Sequence, residues 1–144
     1  MSRTIDDIAH EAVVRRAQER LLLIGEMRDA NRLHQSGKSQ REIASILRTS
    51  QPRVGRLLRE AQHLGDDPTA EEIILRATVD GTPRSRLVKR LCSLRFTFHN
   101  GPPGRHSSAA TGNWAQVTAA HHSGLLDDDE YERIRSVVDP AFES

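Results

Sequence analysis

The side chains with most to offer chemically fall between Lys38 and Arg59. Gln51, Arg53, Arg56 and Arg59 crowd one short stretch, with Lys38, Gln40 and Ser50 just ahead of them. Arginine and glutamine read base edges through paired hydrogen bonds, guanidinium to O6 and N7 of guanine and carboxamide to N6 and N7 of adenine. Arginine and lysine also take phosphate oxygens. That chemistry needs a rigid carrier. Val54, Leu57, Leu58 and Ala61 recur at i, i+3, i+4 and i+7, the pattern of one buried helix face. At about 100° per residue, Arg56 and Arg59 fall nearly opposite that stripe and Arg53 lies at its edge, while Gln51 points off the first turn. Ser50 is the expected N-cap. Pro52 sits in the first turn, where its missing N–H costs no hydrogen bond, and Gly55 adds no bulk to the outer face.

A shorter helix must brace this one. Ser39-Gln40-Arg41-Glu42 has the form of a capping box, in which the Ser39 hydroxyl accepts from the Glu42 N–H and the Glu42 carboxylate accepts from the Ser39 N–H. Ile43, Ala44 and Leu47 then supply a narrow apolar stripe. Two short helices joined by a tight turn, spanning Ser39 to Ala61, resemble the helix-turn-helix of bacterial and phage regulators. Lambda-type repressors, SorC-like regulators and region 4 of sigma factors carry that motif. The matching positions are Gln40, Ala44 at the small-residue site where the helices cross, Leu47, Val54 and Leu57. The resemblance implies that the helix Gln51–Gln62, capped by Ser50, reads the major groove with Gln51, Pro52, Arg53 and Arg56. Lys38 and Gln40 would lie near one backbone phosphate and Arg59 near another further along. The chain departs at Arg48, where the family usually has glycine. Either Arg48 is left-handed at some cost, or the turn has a different shape.

Composition agrees with a helical carrier. Aromatic residues make up 3% and hydrophobic residues 36% of the 144, so any core rests on Leu, Ile, Val and Ala, which favours packed helices. The formal net charge of +1 is unevenly spread. Residues 1–62 hold 12 Lys and Arg against 8 Asp and Glu, and residues 112–144 hold 2 against 7. A basic front and an acidic tail suit a nucleic-acid module followed by a part that avoids nucleic acid. The single cysteine, Cys92, excludes an internal disulfide and fits a reducing cytoplasm. The opening MSRTIDDIAH is charged and polar, unlike a signal peptide, and the longest uninterrupted apolar run, Leu21 to Ile24, is too short to span a bilayer.

Read in order, the chain opens with a helix capped at Thr4. Gly25 is expected to bend or end it, and Ser36-Gly37 to stop the helical stretch from Glu26 to Gln35. His63 to Pro68 reads as a linker. Thr69-Ala70-Glu71-Glu72 is a second capping box, Gly81-Thr82-Pro83 breaks the chain, and Leu87, Val88, Leu91 and Leu94 mark another helix. This pair echoes the first, and its basic face (Arg84, Arg86, Lys89, Arg90) reads as a plain helical hairpin or as a second DNA-contacting face. Phe96-Thr97-Phe98 alternates like a short strand. His99 to Gly112 is rich in Gly, Pro and Ser and reads as an irregular loop. Asn113 caps a helix bearing Trp114, which reads as a core anchor under a hairpin with Tyr131. Asp127 caps the last helix.

Catalysis finds little support. His99, His106, His121, His122, Cys92 and the run Asp127–Glu130 show neither Cys-x-x-Cys nor His-Glu-x-x-His spacing. No catalytic residue, metal site or cofactor is expected. The sequence thus predicts an all-α protein with a helix-turn-helix bundle in residues 1–64 and a smaller helical interaction or oligomerisation region in residues 69–140. The expected function is a cytoplasmic transcription regulator that binds double-stranded DNA as a homodimer, with no membrane partner. One alternative is an antitoxin-type regulator whose C-terminal half binds and neutralises a second protein. The other is an interaction module that docks an acidic partner and no DNA.

Overall fold

The computed structural model describes residues 3–97 and 112–138 and is an all-α fold. Two compact units form: Glu19–Asp66, and a second made of the chain before Glu19 and after Asp66.

Helix α1 (Ile5–Gln35) begins at a reciprocal cap, with the Asp7 N–H donating to Thr4 Oγ1 at 3.0 Å and the Thr4 N–H donating to Asp7 Oδ2 at 3.1 Å. It runs unbroken through Gly25, contrary to the bend or stop the sequence suggests there. Glycine inside a helix costs about 1 kcal/mol relative to alanine. Burial of one aliphatic side chain yields roughly 1.5–3 kcal/mol, and Ile24, Met27 and Ala30 are buried on either side of Gly25. Of the apolar run Leu21–Ile24, only Ile24 is fully buried and Leu22 is 75% exposed. Gly37, at φ 96°, closes the helix, and the Lys38 N–H turns back to the Leu33 carbonyl.

In the unit Glu19–Asp66, α1 is followed by α2 (Gln40–Leu47), α3 (Gln51–Glu60) and a 3-10 turn (Ala61–His63). Ile43, Ala44, Val54, Leu57 and Ala61 are buried there. The segment after the turn is tied down by the Arg28 guanidinium, which donates to the Gly65 carbonyl at 2.9 Å.

The second unit carries α4 (Ala70–Asp80), α5 (Arg84–Cys92), α6 (Trp114–His122) and α7 (Asp128–Val138). A two-residue parallel bridge pairs Phe96–Thr97 with Gly112–Asn113. Helix α5 packs on α7 and α4 on α6. Ile74, Leu87, Leu91, Val117, Leu126 and Ile134 form the centre of one apolar cluster. Trp114 is the expected anchor, with Phe96 edge-on at 5.4 Å and Tyr131 at 5.6 Å between ring centroids. The only buried charged residues among those described are Glu72 and Glu130, and both stand at the third position of a helix inside a capping box. Backbone N–H groups and the positive helix end meet a carboxylate there, which is why burial is tolerated. Glu130 also accepts two hydrogen bonds from Arg84, at 2.6 and 2.8 Å.

The expected loop, apart from Gly112, lies outside the described residues, as do His99 and His106. Among the described residues no helix is long and apolar enough to cross a membrane.

Candidate nucleic-acid interface

The pair α2–α3 is set by local chemistry at each end. The Glu42 N–H donates to Ser39 Oγ at 3.2 Å and the Ser39 N–H to Glu42 Oε1 at 2.9 Å, which completes the capping box. Those hydrogen bonds from Ser39 hold the Glu42 carboxyl below its ordinary range. Helix α2 ends at Arg48, which takes the left-handed conformation (φ 58°, ψ 48°). Its N–H reaches back to Ala44 and Ser45, and the Thr49 N–H donates to the Ala44 carbonyl at 2.9 Å. Of the two shapes open to this turn, the chain adopts the strained one. The turn keeps the form glycine would give it, at a cost of about 1–2 kcal/mol for a residue with a Cβ. Ser50 then caps α3 by accepting from the Arg53 N–H at 3.3 Å, with Pro52 in the first turn.

Ala44, Val54 and Leu57 are buried, and Leu47 and Leu58 are half-buried. This small-residue crossing lets the two short helices approach closely. Outward, Lys38, Gln40, Ser50, Gln51, Pro52, Arg56 and Arg59 are all exposed. Gln40 and Arg59 come together over Gly55: a Cβ built there would stand 3.6 Å from Arg59 Nη1 and 3.7 Å from Gln40 Oε1. The first residue of α2 and the last basic residue of α3 thus flank one bare patch of backbone. Helix α3 itself stops at Glu60, and Gln62 falls in the 3-10 turn rather than on the expected helix Gln51–Gln62.

Arg53 behaves differently from its neighbours. Its guanidinium pairs with Glu26 of α1, Nη2 to Oε1 at 2.5 Å, and this carboxylate raises the Arg53 pKa. Sequence spacing gave no sign of Glu26, because the partner lies in another helix far back along the chain. Arg56 and Arg59 make no such pair among the described residues.

Chemically, the outer surface of α3 offers guanidinium donors, a carboxamide with both donor and acceptor, and no carboxylate before Glu60. That set suits an anionic, hydrogen-bonding ligand of regular spacing. Among the described residues no three His, Cys, Asp or Glu side chains gather as metal ligands would. His121 is engaged within its own unit, paired to Asp128 at 2.7 Å and stacked on Tyr131. Burial pushes the half-buried Cys92 thiol upward, away from the reactive thiolate. No protein-family model, curated protein or solved structure matches this chain.

Proposed function

We propose that this protein is a sequence-specific DNA-binding transcription regulator that inserts α3 into the major groove and acts as a homodimer on two half-sites. One observation carries the reading. A three-residue turn, closed by a left-handed residue and a capping serine, joins α2 to α3, whose apolar stripe is buried while Gln51, Arg56 and Arg59 stand clear on the other side. Such a helix reads only a few base pairs, and a two-fold pair doubles the contacts at half-sites one helical turn apart.

Selection of binding sequences from a random duplex pool, followed by titration of variants on the selected site, tests it. Arg56→Ala is expected to cost about 1–3 kcal/mol and to relax sequence choice at one position. Arg59→Ala weakens binding to every duplex alike and reduces the salt slope by about one. A pool that enriches nothing, or two variants that bind as the wild type does, overturns the reading. The antitoxin version draws support from the second unit's own apolar cluster and from the exposed Asp127, Asp128, Asp129 and Glu132 around the start of α7. It requires that a chain truncated before residue 112 still binds DNA and no longer retains a co-expressed partner protein.

A further inference from the structure

The turn between α4 and α5 resembles the turn between α2 and α3. Helix α4 ends on Gly81 in the left-handed conformation (φ 67°, ψ 32°), and the Thr82 N–H donates to the Ala77 carbonyl at 3.0 Å. The turn after α2 has the same bond, from Thr49 to Ala44 at 2.9 Å, around left-handed Arg48. Three residues link the helices in each case, Arg48-Thr49-Ser50 and Gly81-Thr82-Pro83. Placed on that shared turn, the two stretches run together without a gap. Ala44 falls on Ala77, Thr49 on Thr82, Arg53 on Arg86, Val54 on Leu87, Arg56 on Lys89 and Leu58 on Leu91. The positions next to the turn agree in kind, with a small buried residue before it, a buried aliphatic residue after it and two cations on the outer side, whereas buried Ile43 and Leu57 fall on exposed Arg76 and Arg90.

Helix α5 reads Arg-Ser-Arg-Leu-Val-Lys-Arg-Leu-Cys, with four cations and no carboxylate. An ordinary solvated face mixes both signs. The carboxylate that does reach this helix, Glu130, is taken up by Arg84, which also donates to the Leu125 carbonyl at 2.8 Å. Arg84 is thus a strut between α5 and α7, its guanidinium committed to Glu130 and the Leu125 carbonyl. Arg86, Lys89 and Arg90 remain exposed and form no ion pair or side-chain hydrogen bond among the described residues. The buried stripe of α5 (Leu87, Val88, Leu91) is turned about the helix axis from that of α3, Val88 standing at the place of Gly55 and Arg90 at that of Leu57, which leaves Arg86 and Lys89 near the centre of the open face.

We propose that α4–α5 is a second nucleic-acid-binding helix pair, whose Arg86, Lys89 and Arg90 take phosphates of duplex DNA. Its first turn has Arg84, already tied to Glu130, and Ser85 where α3 has Gln51 and Pro52, and it lacks a carboxamide. It therefore grips the backbone and adds affinity without sequence choice. This rests on the reading of α3 only in the choice of duplex DNA as ligand.

The test uses the full chain on a long duplex of arbitrary sequence and on the selected site, with affinity followed by fluorescence anisotropy across a salt series. Each phosphate contact contributes about 0.9 to the slope of log K against log salt, so R86A/K89A/R90A lowers the slope by about 2.7. Between about 50 and 200 mM salt the wild type then loses about 40-fold more affinity than the triple variant. R86K/R90K keeps the wild-type slope, because charge rather than shape is at work. Far-UV circular dichroism and melting stay unchanged, since none of the three side chains has a partner to lose among the described residues. A folded triple variant with the wild-type slope overturns the proposal. So does one that loses self-association while its DNA binding persists, which assigns this face to an acidic protein segment. If R56A and R59A are silent but the triple variant is not, the reading of α3 falls and this one stands. If no duplex binds the wild type, both fall.

Discussion

Replacing Glu26 by glutamine sets two consequences of the Arg53 pair against each other. Arg53 Nη2 lies 2.5 Å from Glu26 Oε1, with side chains 42% and 28% exposed, respectively. If Arg53 must leave Glu26 to meet DNA, the strength of that pair is subtracted from the binding free energy. Removing the carboxylate returns it. Ion pairs this open to water are weak, so the returned affinity is about two- to fivefold. A second effect adds to it: one negative charge near the incoming phosphates disappears and one guanidinium is freed, which steepens the salt slope by about 0.9. Glutamine keeps the size of the side chain and a carbonyl acceptor, so α1 and α3 remain in place. Anisotropy titrations of Glu26→Gln on the selected duplex over a salt series give both quantities in one experiment. Tighter binding with a steeper slope means that Glu26 holds Arg53 back in the free protein. Weaker binding with an unchanged slope refutes this reasoning, because it shows that the pair aims α3 and persists on DNA.

The left-handed turns make a matched prediction of opposite sign. Arg48→Gly relieves about 1–2 kcal/mol of strain and returns about 0.4–1 kcal/mol through the freer unfolded chain, for a net gain near 0.5–1 kcal/mol. Gly81→Ala loses a similar amount, and urea midpoints for the two variants should move in opposite directions. The Arg84–Glu130 pair predicts an acid limb of stability. Hydrogen bonds from Arg84, aided by the Asp127 N–H, hold the Glu130 carboxyl below its ordinary value of 4.5. The unfolded chain therefore binds the proton more readily. The contribution is full above pH 4.5 and is lost as the pH falls through the lower folded value. Glu130→Gln flattens that limb in thermal melts and costs about 2–3 kcal/mol at neutral pH, less than a fully buried pair because Arg84 is partly solvated.

Most of the candidate interface was legible because its signals are short-range. The caps at Ser39 and Ser50, the apolar spacing of Val54 and Leu57, and the exposure of Arg56 and Arg59 each depend on residues within one or two turns. The sequence left two shapes open for the turn after α2, and the left-handed Arg48 decides between them. What was missed depends on distant chain. Glu26 and Glu130 each bind an arginine on another helix, and no local spacing announces such a partner. Gly25 misled for the reverse reason. Its local propensity is real but small, and burial of Ile24 and Met27 beside it outweighs it. The likeness of the two turns was blurred in the sequence because α4 is longer than α2, so matching the capping boxes misaligns the turns beyond them.

Among the described residues four helices begin at a reciprocal pair of hydrogen bonds three residues apart: Thr4 with Asp7, Ser39 with Glu42, Thr69 with Glu72, and Asp127 with Glu130. Each is complete within four consecutive residues. A chain emerging from the ribosome can close every one of them before the next segment has been synthesised, with no long-range contact required. The starting register of each helix is thereby written in four residues, while α2, α4 and α7, at 8, 11 and 11 residues, still need packing to persist as helices.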